Sequence, residues 1–151
     1  MCQLLRRDKI AALAPDGVPD ADIIVSDRVG STLAAVQVKA RREKGSDGGW
    51  HMKAKHETMS RDLLFYCFVD FGSSLTDPPK CWVIPSGIVA SVLKETHQAW
   101  FDMEGRNGRK HQATEMRRFL PDFSRRNCQK YPKGWMSQYE EQWDLIASPP
   151  S

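Results

Sequence analysis

The sequence lacks several short motifs that would identify its chemistry directly. Its four cysteines are scattered and form no Cys-x-x-Cys pair, which disfavours a zinc knuckle. The histidines show no His-x-x-x-His spacing, so a histidine-based metal site is not indicated. There is also no Gly-x-x-x-x-Gly-Lys loop and no Gly-x-Ser-x-Gly elbow, which disfavours nucleotide hydrolysis and esterase chemistry.

Long apolar runs are also missing. No stretch approaches the length of a membrane-spanning helix, and the first residues lack a signal-peptide pattern, so a cytoplasmic location without membrane contact is expected. In a reducing compartment Cys67 and Cys81, which lie in apolar runs, are expected as buried free thiols, and a disulfide between them is the alternative. With 151 residues, 40% of them apolar, the chain is long enough for one soluble domain spanning 1–151.

A strong net charge is absent as well, since the formal charge is +3. The distribution of charge is more informative, because nine basic residues lie between Gly105 and Lys133 against two acids, Glu115 and Asp122. A locally basic segment in a weakly charged chain favours a surface that faces a polyanion. The alternative interpretation is an ordinary solvated loop.

Hydrophobic patterning predicts a mixed central sheet with helices. Apolar runs bounded by turn residues favour strands, and apolar positions at helical spacing favour helices. The segment Arg41–Met59 is expected to be irregular, and Ser86 is expected to cap the helix that follows Pro85. The predicted elements are a short helix within Cys2–Arg7, strands at Ile10–Leu13, Asp22–Ser26, Thr32–Ala40, Leu63–Phe71 and Cys81–Ile84, a helix beyond Pro85 and a last helix over Trp135–Ile146.

Polar residues interrupt two of the apolar runs at neighbouring positions. Asp22 precedes Ile23–Val25, and Gln37 and Lys39 interrupt the run that begins at Leu33. Because strand side chains alternate, Gln37 and Lys39 point to one face, and pairing of the two strands brings Asp22 close to them. Unpartnered polar groups in a buried strand are costly, whereas a carboxylate, an amide oxygen and an ammonium together are suited to holding Mg²⁺ against a phosphodiester.

This Asp…Gln-x-Lys arrangement resembles the PD-(D/E)xK nuclease superfamily, which includes restriction endonucleases. The resemblance covers roughly residues 1–100, with a basic loop and C-terminal helix at 101–147 beyond it. It implies an α/β fold in which helices flank a restriction-endonuclease-like mixed central sheet. It further implies that Asp22 and Gln37 bind the metal and that Lys39 lies beside the attacking water. Gln37 occupies the position where members of the superfamily usually have Asp or Glu, and some members also have glutamine there.

The resemblance also implies Mg²⁺ or Mn²⁺ as the cofactor, with the backbone carbonyl of Val38 as a further ligand. Pro19-Asp20 matches the Pro-Asp of the motif, so Asp20 is an alternative to Asp22 as the metal-binding aspartate. Asp22, however, is the one that directly precedes the apolar run. Many members carry a glutamate on the first helix, and this chain has no acid there. Glu57 and Asp62 are the candidate replacements.

A metal-dependent endonuclease acting on DNA is therefore the first functional hypothesis, and a homo-oligomer is expected by analogy. A catalytically decayed nuclease-fold module that binds nucleic acid or a protein partner is the second, and an adaptor without a nucleic-acid role is the third. The missing second acid favours the decayed module. The residues expected to contact phosphate are Arg41, Arg42, Lys53, Lys55, Arg106, Arg109 and Lys110.

The loop that follows the motif strand contains a tryptophan and two histidines among basic residues. Trp50 is expected either to stack on a base or to pack against the sheet. His51 and His56 flank Lys53 and Lys55, which places both histidines within reach of phosphate.

Overall fold

The structure is a computed structural model that describes residues 1–31, 33–42, 48–105, 108, 110–126 and 128–146, with only the backbone of residue 33. Strands predominate within these residues, and one long α-helix follows the last strand of the central sheet. The elements are α1 (Cys2–Leu5), β1 (Ile10–Leu13), β2 (Ile23–Ser26), β3 (Leu33–Arg41), β4 (Trp50–Lys53), β5 (Leu64–Asp70), β6 (Lys80–Pro85), α2 (Ser86–Phe101) and β7 (Met116–Phe119), with 3-10 helices at Ala54–Glu57, Ser124–Arg126, Trp135–Tyr139 and Trp143–Ile146.

Five strands form the central sheet in the spatial order β1-β2-β3-β5-β6. β1, β2 and β3 pair antiparallel, β3 pairs parallel with β5, and β5 pairs antiparallel with β6. β3 and β5 lie in the middle, where strands covered on both faces are expected to be rich in apolar residues. The expected mixed central sheet is confirmed, and each of the five predicted strands lies within one residue of its expected bounds.

One face of the central sheet is closed by an apolar core. Val36 of β3 and Phe65 and Cys67 of β5 are buried there. Leu4 from the first helix and Trp143 from the C-terminal segment pack into the same cluster. The two ends of the described chain therefore cover this face, which we call the packed face.

The opposite face carries α2 and a second antiparallel sheet, formed by β4 and β7. Trp50 of β4 and Phe119 of β7 are buried against Phe68 of β5, with ring centroids 5.1 Å and 4.2 Å from that of Phe68. The smaller sheet leaves a cleft beside Gln37 and Lys39 of β3. We call this the cleft face.

Two predicted segments differ from the structure. Arg41–Met59 is not irregular throughout, because it contains β4 and the 3-10 helix Ala54–Glu57; β4 finds its partner in the unpredicted strand β7, which lies far away in sequence. The single helix expected over Trp135–Ile146 is wrong, since two 3-10 helices replace it. Between them Glu141 has a φ of 54°, and its N–H donates to the Cys81 carbonyl at 3.0 Å, so the backbone turns to bond β6.

Ser86 does not cap α2 and is instead its first residue. Its hydroxyl donates to the Arg61 carbonyl and accepts from the Arg61 N–H, both at 2.9 Å, so it joins α2 to the segment before β5. The packing alternative for Trp50 is confirmed by its burial, and Cys67 and Cys81 are buried free thiols as expected. Among the described helices, none has the length and apolar character needed to cross a membrane.

Candidate active site

Asp22 lies at the edge of β3, where β2 begins. Its backbone N–H donates to the Val36 carbonyl at 2.9 Å, and its carboxylate Oδ2 accepts from the Val38 N–H at 2.7 Å. The Asp22 side chain thus takes the place of a strand partner opposite β3. This contact fixes the carboxylate next to the part of β3 that contains Gln37.

The backbone of Val38 contributes an oxygen at the same edge. In an extended strand the N–H and C=O groups of one residue point to the same side, and the Val38 N–H points to Asp22. The last residue pair between β2 and β3 is Ile23 with Val36. The Val38 carbonyl therefore faces the Asp22 edge beyond the end of the β2–β3 pairing.

Gln37 and Lys39 lie on the cleft face of β3, in register with Tyr66 and Phe68 of β5. Both line a cleft of about 650 Å³. Asp22 lies to the side of this cleft, at the β3 edge. The remaining residues that line the cleft are His51, Met52, Lys53, Lys55, His56, Glu115 and Met116.

The Gln37 side chain holds a buried oxygen, Oε1, that has no hydrogen-bond partner. An unpaired buried polar atom of this kind costs about 1–3 kcal/mol. No group of three or more His, Cys, Asp or Glu side chains within the described ranges is arranged to hold a metal ion. A carboxylate, an amide oxygen and a backbone carbonyl are nevertheless the oxygen donors that Mg²⁺ and Mn²⁺ prefer, so Asp22, Gln37 and Val38 fit such a cation.

Lys39 is a partly buried cation between charges of both signs. Burial lowers the pKa of Lys39, Asp22 and Asp20 oppose that shift, and Lys55 and Lys53 reinforce it. The net direction is downward. The Lys39 ammonium therefore loses its proton more easily than an exposed lysine does, and it interacts electrostatically with each of these four side chains.

His56 is a buried member of the same cluster, although its sequence position indicated only phosphate contact. It is 3% exposed, and its Nδ1 lies 2.7 Å from the Tyr66 hydroxyl. Burial, reinforced by the charges of Lys39 and Lys55, lowers the pKa of His56 to about 4, and burial raises the pKa of Tyr66. At neutral pH both groups are uncharged. No sequence signal separated His56 from the exposed His51, because the contact depends on how the 3-10 helix packs over β5.

Asp20, the alternative metal-binding aspartate, has a different environment. Its φ of 66° lies in the left-handed region, which aspartate tolerates better than most residues. Its carboxylate accepts a hydrogen bond from Lys55 Nζ at 2.8 Å and lies 3.6 Å from Arg61 Nη2. The hydrogen bond from Lys55 lowers the pKa of Asp20. Asp20 thus fastens the 3-10 helix Ala54–Glu57 to the start of β2, whereas Asp22 contacts the motif strand itself.

Two of the arginines expected to contact phosphate have partners within the protein. Arg41 forms an ion pair with Asp70, and its guanidinium lies over the Trp50 ring at 4.3 Å. Arg42 donates to the Ser74 carbonyl at 3.3 Å and lies over a neighbouring aromatic ring. Both arginines come shortly after Lys39 in the chain, and neither lines the cleft.

The lysines expected to contact phosphate divide into two groups. Lys53 and Lys55 line the cleft, and Lys53 is exposed. Lys110 is exposed outside the cleft, in a backbone bridge with Glu104. The predictions for Arg106 and Arg109 lie outside the described residues.

Neither replacement acid contacts Asp22 in a described interaction. Glu57 is bonded to Arg117 of β7, and Asp62 is exposed. Glu115, which no sequence pattern indicated, lines the cleft.

The chain matches no protein-family model and no curated protein sequence. Among solved structures it is similar to a bacterial homing endonuclease, I-Ssp6803I, with a TM-score of 0.51 and 15% sequence identity. The match covers 96% of this chain and 80% of that one. At this identity the similarity concerns the fold alone. The chain is accordingly a single α/β domain with a nuclease-like fold.

Proposed function

We propose that this protein is a divalent-metal-dependent endonuclease that hydrolyses phosphodiester bonds in DNA, with a Gln-x-Lys variant of the PD-(D/E)xK site. One observation carries the proposal. The Asp22 carboxylate accepts from the N–H of Val38, the residue between Lys39 and a glutamine, Gln37, whose buried Oε1 has no hydrogen-bond partner. The similar fold of a solved homing endonuclease supports the same class of substrate.

Asp22, Gln37 and the Val38 carbonyl are the residues that would hold Mg²⁺ or Mn²⁺. The bound cation would supply charge stabilisation at a phosphate oxygen. Gln37 is half-buried and brings no formal charge, so the affinity for a cation is lower than with a glutamate at that position. The Val38 N–H keeps Asp22 in place before any ligand arrives, which reduces the conformational entropy that binding must overcome.

Lys39 acts on the reacting water. The Lys39 ammonium would position and polarise a water molecule beside the cleft. That water oxygen attacks phosphorus as its proton passes to solvent, the P–O bond on the opposite side breaks, and the departing alkoxide takes up a proton from solvent. The ammonium would also lie close to the added negative charge on the phosphate oxygens.

Of the remaining cleft lysines, Lys55 would bind the DNA backbone. Lys53 is exposed at the wall of the cleft, and Lys55 is next to it, held by Asp20. His56 is neutral and buried, so it adds no charge that competes with the substrate.

The test is cleavage of supercoiled plasmid DNA by the full chain in Mg²⁺, in Mn²⁺ and in EDTA. We expect metal-dependent nicking and linearisation, slowed at least about 100-fold in Asp22→Asn and in Lys39→Met. Matched controls are Asp16→Asn, in the exposed turn before β2, and Lys94→Met, on the exposed side of α2. Cleavage that persists in Asp22→Asn and Lys39→Met would rule out this site.

A catalytically decayed nuclease-fold module is the second candidate, and the amide at Gln37 favours it because the usual second carboxylate is missing. It is distinguished by salt-dependent binding of plasmid DNA without cleavage in either metal. A nearly flat dependence of affinity on salt would remove the phosphate contacts and with them both candidates.

A further inference from the structure

The β4–β7 sheet is a two-stranded ribbon with one exposed face. In β4 the burial alternates strictly, so that Trp50 and Met52 are buried while His51 and Lys53 are exposed. The antiparallel register pairs Lys53 with Met116 of β7, which is 57% exposed. His51, Lys53 and Met116 therefore share the outer face of the ribbon.

The inner face of the ribbon is firmly attached to the core. Trp50 donates from Nε1 to the Val69 carbonyl at 3.1 Å, and Phe119 stacks on Phe68. At the ribbon end the Ala54 N–H donates to the Glu115 carbonyl at 2.8 Å, which continues the pairing beyond Lys53. The outer face is thus presented by a rigid element.

The same outer residues line the cleft that contains Gln37 and Lys39. A phosphate held at the motif would consequently lie beside His51, Lys53 and Met116. A nucleic acid that enters the cleft must pass these exposed side chains.

We propose that the β4–β7 ribbon inserts into the major groove of duplex DNA and reads base edges there, which makes His51, Lys53 and Met116 specificity-determining residues. This inference rests on the proposed nuclease function and assigns double-stranded DNA as its substrate. It gives the exposed face a role that differs from that of the motif, since the motif contacts the backbone and the ribbon contacts the bases.

The dimensions and the chemistry agree with this assignment. A four-residue strand is about 13 Å long, and the major groove of B-DNA is about 12 Å wide and admits a two-stranded ribbon. Lys53 donates to guanine O6 and N7, His51 hydrogen-bonds purine N7, and the Met116 side chain suits a thymine methyl group. The major groove of A-form RNA is too deep and narrow for side chains to read, so the ribbon favours DNA over duplex RNA.

The first experiment selects bound duplexes from a randomised 30-base-pair DNA pool in Ca²⁺ and sequences them. We expect an enriched sequence whose binding weakens about tenfold when its purines are replaced by 7-deazapurines, because that change removes the N7 acceptors in the major groove alone. An enriched sequence that binds equally well with 7-deazapurines would overturn the inference, and so would selection without any enriched sequence.

The second experiment repeats the selection with ribbon variants. His51→Ala, Lys53→Ala and Met116→Ala are each expected to relax the preference at one or two adjacent base positions, while the control Lys94→Ala leaves the sequence unchanged. Unchanged preferences in all three ribbon variants would contradict the assignment.

The outcomes separate this inference from the proposed function. Lys39-dependent plasmid cleavage without any 7-deazapurine effect would overturn the ribbon alone and leave the nuclease intact. Absence of binding to every duplex in the pool would overturn both. Selective binding without cleavage would support the ribbon while removing the catalytic proposal.

Discussion

The two faces of the central sheet differ in what their side chains do. On the packed face Val36 and Phe65 are apolar and almost fully buried. On the cleft face Gln37 and Lys39 alternate with the valines of β3, and His56 contacts Tyr66. Because side chains alternate along a strand, core packing and polar chemistry lie one residue apart on β3.

The cleft face carries costs that the packed face avoids. The Gln37 Oε1 atom is buried without a hydrogen-bond partner, and burial lowers the pKa values of Lys39 and His56. Each of these features works against the stability of the metal-free protein. Both faces therefore carry a buried apolar cluster, but among the described residues only the cleft face adds polar groups whose burial costs free energy.

The largest expected effect comes from breaking the packed face. Phe65→Ala removes a side chain that is 1% exposed, and we expect the free energy of unfolding to fall by about 3–5 kcal/mol in urea titrations. The folded fraction should keep its Mn²⁺ affinity, measured by electron paramagnetic resonance. The control is Phe71→Ala, whose 39% exposed ring lies just beyond the same strand and should cost less than about 1 kcal/mol. Loss of Mn²⁺ binding in folded Phe65→Ala would show that the two faces are not independent.

A smaller effect concerns His56 and pH. The unfolded chain protonates this histidine near its ordinary pKa of 6.5, whereas the folded protein keeps it neutral down to about 4. The unfolded state therefore takes up the proton first, and stability falls as pH drops through this window. We expect a loss of about 2–3 kcal/mol between about pH 7.5 and 4.5 that His56→Gln lacks.

The control for this pH dependence is His51→Gln, which replaces an exposed histidine on β4. It should retain the full dependence in urea unfolding curves collected across the same range. A His56→Gln protein with the same pH slope as the parent would contradict the assignment of the buried histidine.

The smallest expected effect sharpens the comparison at Gln37. Gln37→Met removes the unpaired buried oxygen, so we expect the metal-free protein to gain about 1 kcal/mol of stability while Mn²⁺ binding is lost. Gln37→Glu should act oppositely, with about tenfold tighter Mn²⁺ binding by calorimetry and equal or higher cleavage activity. Unchanged Mn²⁺ affinity in both variants would exclude Gln37 as a ligand.

The strands of the central sheet were predictable because their signals are local. Residues 64–69 of β5 form a continuous apolar and aromatic run, and such runs favour buried strands whatever their partners are. β4 and β7 were not predictable in the same way. Both strands are four residues long, β4 is polar at alternate positions and β7 has two adjacent arginines. Each becomes a strand by pairing with a partner more than 60 residues away.

The C-terminal segment shows why helical spacing alone misled. Trp135, Tyr139 and Trp143 recur at helical intervals, but the backbone between them bonds β6 through Glu141. Trp143 then packs on the packed face, while Trp135 packs on the cluster of the cleft face. Tertiary contacts to two separate cores outweighed the periodicity.

At the candidate site, the residue types and their alternation can be read from the amino-acid sequence: an acid before one apolar run, and an amide and an amine on one face of the next. Three contacts depend on the folded chain: Asp22 accepts from the Val38 N–H, His56 is buried against Tyr66, and His51 and Lys53 line the same cleft as Gln37 and Lys39. The two kinds of feature differ in the sequence distance over which they arise. Side-chain alternation follows from the geometry of a single strand, whereas these contacts depend on the register between strands and on elements that fold over them from distant parts of the chain.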